Sequence, residues 1–184
     1  MNNNYADYDI LYVDDETKAL KYFSKAFSER FSVITCDNAA DAKKILDENT
    51  SRIAVLISDQ RMPEERGTDL LSYSRQHHPH IVRLLTTAYS DLRDTIDAVN
   101  DGEIFRYIDK PWDINALATD LQNAMRFFIL RHERDQLLNE KLNVKQRLLE
   151  LNRIRDLIVM ASAFTHVKNP LHAIRSFLLQ VPIN

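Results

Sequence analysis

The chain has 184 residues, enough for one well-buried domain and an appendage but tight for two full domains. Its 45% hydrophobic and 28% charged residues are those of an ordinary globular protein, and a net charge of −3 gives no basic field of the kind nucleic acid attracts. The single cysteine, Cys36, excludes an internal disulfide and a cysteine-rich metal site, which fits a reducing cytoplasm, and no apolar run approaches the about 20 residues of a membrane helix. The polar, acidic start "MNNNYADYD" has neither the basic end nor the apolar stretch of a secretory signal.

In chain order, short apolar runs alternate with longer segments of helical spacing. "YDILYV" (8–13) is followed by 16–29, where Leu20, Phe23 and Phe27 share a face. "FSVIT" (31–35) precedes 38–48, with Asn38 at a helix N-cap position and Ala39, Ala42, Ile45 and Leu46 on one face. "RIAVLIS" (52–58) is continuously apolar, as a strand buried on both faces is, and leads to a helix over 67–77. "HIVRLLTT" (80–87) leads to a helix over 91–99, entered at Ser90 and followed by Gly102, and "EIFRYI" (103–108) is the fifth strand. Strands alternating with helices predict an α/β doubly wound domain with a five-stranded parallel sheet.

The pattern changes after Pro111. A further helix starts near Asp113, whose carboxylate caps it, and no glycine or proline interrupts 114–169. Leu130, Leu137, Val144, Leu151 and Ile158 recur every seven residues, the spacing of a coiled coil, although Glu133, Glu140 and Arg147 interrupt a strict seam. A long amphipathic helix folded back on its own domain is the alternative. The expected divisions are a domain over 1–128, a linker helix over 129–159 and a last segment over 160–184.

The strand ends carry the chemistry. The first ends in Asp14-Asp15-Glu16, the third in Asp59, the fourth in Thr86-Thr87 before Ala88, and the fifth in Asp109-Lys110-Pro111. One edge of an open parallel sheet gathers all these tips. Crowded carboxylates require a cation, and oxygen ligands without His or Cys favour Mg²⁺. Metal and lysine around one remaining carboxylate suit phosphoryl transfer with Asp as nucleophile.

"ILYVDDE", "SDQRMPEERG", "LLTTAYSD" and "YIDKPW" resemble, in order and spacing, the receiver domain of two-component response regulators over roughly the first 128 residues. The resemblance implies the flavodoxin-like fold, with Asp59 as phosphoacceptor and Asp14 and Asp15 holding Mg²⁺ with Asp59 and the Arg61 backbone carbonyl. It implies Thr87 as switch hydroxyl, Lys110 as the conserved-type lysine, Tyr107 as switch aromatic, and a cis peptide before Pro111. It further implies self-phosphorylation and dephosphorylation, and a sensor histidine kinase or phosphotransfer protein as partner. Phosphorylation would reshape the surface around the 91–99 helix, the fifth strand and the helix after it, and a homodimer through that helix would pass the change on.

"MASAFTHVKNPLHAIRSFL" (160–178) resembles the phosphoacceptor helix of histidine kinases in broken form. Aligned on Lys168-Asn169-Pro170-Leu171, its histidine position holds Thr165 and its glutamate position His166. His166 has three readings: part of a degenerate dimerisation helix, a phosphohistidine of a longer parent, or a surface histidine. The second would make the chain the receiver and linker of a hybrid histidine kinase. A DNA-binding output is the weakest expectation, because acids interleave the basic residues of 126–155.

Overall fold

The computed structural model describes residues 5–88 and 104–178. After a short 3₁₀ turn, Tyr5–Asp7, the chain runs β1 (Asp9–Val13), α1 (Thr17–Phe27), β2 (Ser32–Cys36), α2 (Ala39–Glu48), β3 (Ile53–Asp59), α3 (Gly67–His77), β4 (Val82–Ala88), β5 (Arg106–Lys110) and α4 (Ile114–Leu178). The helix expected over 91–99, with Ser90 and Gly102, lies outside the described residues.

The five strands form one parallel sheet in the order β2-β1-β3-β4-β5. The sheet is doubly wound because the order reverses between β1 and β3, and there the two strand tips lie side by side, Val13 opposite Ser58. Every residue of β3 is buried, as the continuous apolar run demands.

Alternation of side chains along each strand divides the interior into two layers. Tyr12, Phe23, Phe27, Ile57, Leu84 and the α4 residues Leu117, Leu121 and Met125 fill one. Leu11, Val13, Leu46, Leu56, Leu70, Leu71 and Leu85 fill the other, under α2 and α3. Each fully buried side chain of this size stabilises the fold by about 2 kcal/mol before chain entropy is counted. The expected caps form: Asn38 accepts from the Asp41 amide at 2.8 Å, and Asp113 from the Ala116 amide at 2.8 Å.

β5 begins later than its apolar run and extends further, through Asp109 and Lys110. Backbone pairing decides this: Asp109 lies opposite Thr87 and Lys110 opposite Ala88, so the ladder continues until Pro111 ends it. The Lys110–Pro111 peptide is cis.

The chain divides into two compact units, Met1–Glu133 and Arg134–Asn184. The second consists, among the described residues, of the remainder of α4. Leu137, Val144, Leu151 and Ile158 are exposed there, at 55–64% of their full surface. α4 passes through Pro170 and continues to Leu178. Among the described residues no helix is long and apolar enough to cross a membrane.

Candidate functional site

The carboxyl ends of β1, β3, β4 and β5 meet on one edge of the sheet. Asp14 directly follows β1, held there by its amide, which donates to the Cys36 carbonyl at 3.1 Å. Its side chain is fully buried. Asp59 ends β3 and is also buried. Lys110, the last residue of β5, reaches between them: its Nζ lies 2.7 Å from Asp14 Oδ2 and 2.6 Å from Asp59 Oδ1.

Backbone amides and a hydroxyl also donate to these carboxylates. Asp14 Oδ1 accepts from the Glu16 amide at 2.9 Å, and Oδ2 accepts from the Tyr12 hydroxyl at 2.5 Å. Asp59 Oδ2 accepts from the Arg61 amide at 2.8 Å. Burial by itself lowers the pKa of Lys110, but its bonds to Asp14 and Asp59 outweigh that and hold it above its ordinary value. The Tyr12 hydroxyl is pushed far up, first by burial and then by its bond to Asp14.

Local backbone geometry supports the Asp59 turn. The Gln60 amide donates to the Thr86 carbonyl at 2.9 Å, and the Gly67 amide to the Gln60 carbonyl at 3.2 Å. This brings the start of α3 against the back of Asp59. A Cβ on residue 67 would lie 2.1 Å from the Asp59 carbonyl oxygen, so only glycine fits.

Asp15 and Arg61 are exposed and, with Asp14, Asp59 and Lys110, line a cavity of about 220 Å³. Its carboxylates and the backbone at Arg61 are oxygen donors, a set that fits a hard divalent cation such as Mg²⁺ by ligand type. Among the described residues no group of three or more His, Cys, Asp or Glu is spaced to hold a metal ion. The Lys110 ammonium lies in bonding distance of both buried carboxylates and balances their charge.

Thr87 is buried at the end of β4, and its hydroxyl donates to the Ala88 carbonyl at 3.2 Å. Its neighbour Thr86, opposite Asp59 in the ladder, places Oγ1 3.4 Å from Asp59 Oδ1. Tyr107 is partly buried. Its hydroxyl is enclosed with no hydrogen-bond partner among the described residues, and burial raises its pKa. His166 lies within α4, apart from this constellation in sequence. The roles of Tyr12 and Thr86 were missed by sequence reasoning. Spacing places Tyr12, two residues before Asp14, on the same face of the strand but does not name its partner.

The response regulator receiver domain family matches residues 10–122. The hydrogenase transcriptional regulatory protein HoxA of Bradyrhizobium diazoefficiens is 34% identical over 124 residues, covering 67% of this chain and 25% of that protein. The DNA-binding transcriptional regulator NtrC of Escherichia coli K12 is 30% identical over 132 residues, covering 71% of this chain and 27% of that protein. The chain thus spans about a quarter of the length of these curated relatives. Among solved structures, a response regulator receiver domain protein from Clostridium thermocellum superposes with a TM-score of 0.63 at 29% identity, covering 67% of this chain and 98% of that one. The relatives named here are transcriptional regulators, and the reading of the chain as part of a hybrid histidine kinase gains no support from them. Nor do they support ranking a DNA-binding output as the weakest expectation. With the family match, the parallel sheet and the shared architecture in agreement, the chain belongs to the response regulator receiver domain family.

Proposed function

We propose that this chain is a phosphorylation-switched receiver that takes a phosphoryl group on Asp59 from a sensor histidine kinase or a phosphotransfer protein in the cytoplasm. The observation that carries the reading is the Lys110 ammonium bridging Asp14 and Asp59 at the carboxyl edge of the sheet. An Asp59 carboxylate oxygen attacks the phosphorus of the donor. The O–P bond forms as the N–P bond of a phosphorylated imidazole breaks, leaving a mixed anhydride on Asp59. Asp14, Asp15, Asp59 and the Arg61 carbonyl would hold Mg²⁺. When bound, Mg²⁺ would supply neutralisation of the negative charge gathered at these residues and the incoming phosphoryl group.

Lys110 then pairs with a phosphoryl oxygen as it now pairs with Asp59. Thr87 exchanges its bond to the Ala88 carbonyl for one to the phosphoryl group, and Tyr107 moves into the space vacated. The exposed seven-residue stripe of α4 supports self-association as the output, with a second copy of the helix covering Leu137, Val144, Leu151 and Ile158. His166 would then belong to a dimerising helix rather than to phosphotransfer. A transcription-linked output is the second reading, favoured by the names of the relatives.

Asp59→Asn removes the nucleophilic oxygen while keeping the side-chain shape. Incubated with Mg²⁺ and a small phosphodonor, the parent is expected to gain one phosphoryl group by intact mass and the variant none. A phosphoryl group on another residue of the variant would refute the assignment.

A further inference from the structure

We propose that Tyr12 is a positioning residue for Asp14, fixing which carboxylate oxygen faces Lys110 and which is left for a cation. The proposal rests on the cation-dependent reading above. Tyr12 is fully buried in β1, its ring packed among other aromatic side chains. It stacks on Phe23, with ring centroids 4.3 Å apart, and meets the edge of Trp112 at 5.6 Å. The hydroxyl of this clamped ring donates to Asp14 Oδ2 at 2.5 Å.

Asp14 Oδ2 also accepts from Lys110 Nζ at 2.7 Å, so both of its lone pairs are committed. Among the described residues Oδ1 has one donor, the Glu16 amide at 2.9 Å, which leaves it a lone pair. A carboxylate free to turn about its last torsion would exchange these roles, because its two oxygens are chemically equivalent. Tyr12 breaks the equivalence. It holds Oδ2 toward the core and Lys110, so that a cation meets Oδ1 without displacing the lysine. Groups that orient ligating carboxylates in this way change metal affinity by about 10–100-fold when removed. Tyr12 does not line the cavity at Asp14, Asp59 and Lys110, so its effect runs through Asp14.

The test is a MgCl₂ titration of the full chain and of Tyr12→Phe without phosphodonor. It is followed by NMR at the Glu16 and Arg61 amides, which bond Asp14 and Asp59. The phenylalanine variant keeps the ring packing, and its thermal midpoint in chelator reports whether the fold is retained. The expected result is a dissociation constant raised about tenfold, with phosphorylation of Asp59 restored to the parent extent at saturating Mg²⁺. A folded variant with an affinity within about twofold of the parent would overturn the proposal. Should the variant not fold, the Tyr12 hydroxyl proton of the parent decides: its resonance shifts on Mg²⁺ addition if the proposal holds and stays fixed if it does not. Absence of binding by the parent itself, with Mg²⁺ and with Mn²⁺, would overturn the cation reading and this proposal together. That outcome differs from a variant that binds as the parent does.

Discussion

Lys110 is where the electrostatics of the site converge, and its charge sets how the site responds to pH. Its folded-state pKa stands above the ordinary 10.5, because the bonds to Asp14 and Asp59 outweigh the opposing effect of burial. A cation whose pKa rises on folding contributes stability that is fully present below its unfolded value. That contribution disappears as pH rises through the folded value. Chemical denaturation from about pH 8 to about pH 12 is therefore expected to show this contribution intact to about pH 10 and falling above it. Lys110→Met should lack that alkaline loss and be less stable at neutral pH by about 3 kcal/mol, since it strands two buried carboxylates. The 27% exposure of the lysine side chain keeps the figure at the low end for a broken buried pair. An unchanged neutral-pH midpoint would show that the bridge has no energetic role. Asp14, Asp59 and Lys110 were legible in the sequence because each follows or ends a strand. Tyr12 was not, since a tyrosine within an apolar run reads as core and its partner depends on how Phe23 and Trp112 clamp the ring.

The elements place these residues through backbone geometry rather than side-chain chemistry. The start of α3 lies so close to β3 that Gly67 has no room for a methyl group, the Asp59 carbonyl oxygen being 2.1 Å from where its carbon would sit. Gly67→Ala is expected to destabilise the domain by about 3 kcal/mol, as overpacking against backbone does, and to slow phosphorylation by displacing Asp59. A denaturant midpoint and an initial phosphorylation rate, both equal to those of the parent, would contradict this. The strands were legible because apolar runs of five to eight residues alternate with helical spacing. The end of β5 was not: Asp109 and Lys110 are polar, and only pairing with Thr87 and Ala88 keeps them in the ladder.

At the scale of the molecule, the two units make different demands on their surroundings. Met1–Glu133 contains both apolar layers and the Asp14–Asp59–Lys110 site, whereas the second unit leaves Leu137, Val144, Leu151 and Ile158 exposed. Residues 1–133 alone are therefore expected to fold cooperatively and to accept a phosphoryl group as the full chain does. By light scattering they should be monomeric where the full chain has a dimer's mass. Equal masses per chain in both would move the output away from α4. The doubly wound fold could be read from the alternation of elements alone, but the fate of α4 could not, because a seven-residue repeat names a seam without naming what covers it. The central claim remains the phosphoryl group on Asp59, and intact mass spectrometry with localisation of the adduct tests it most directly. With Mg²⁺ and a small phosphodonor, a single adduct confined to Asp59 and absent from Asp59→Asn is the predicted result. An unmodified parent under those conditions, or an adduct that survives in the variant, would contradict it.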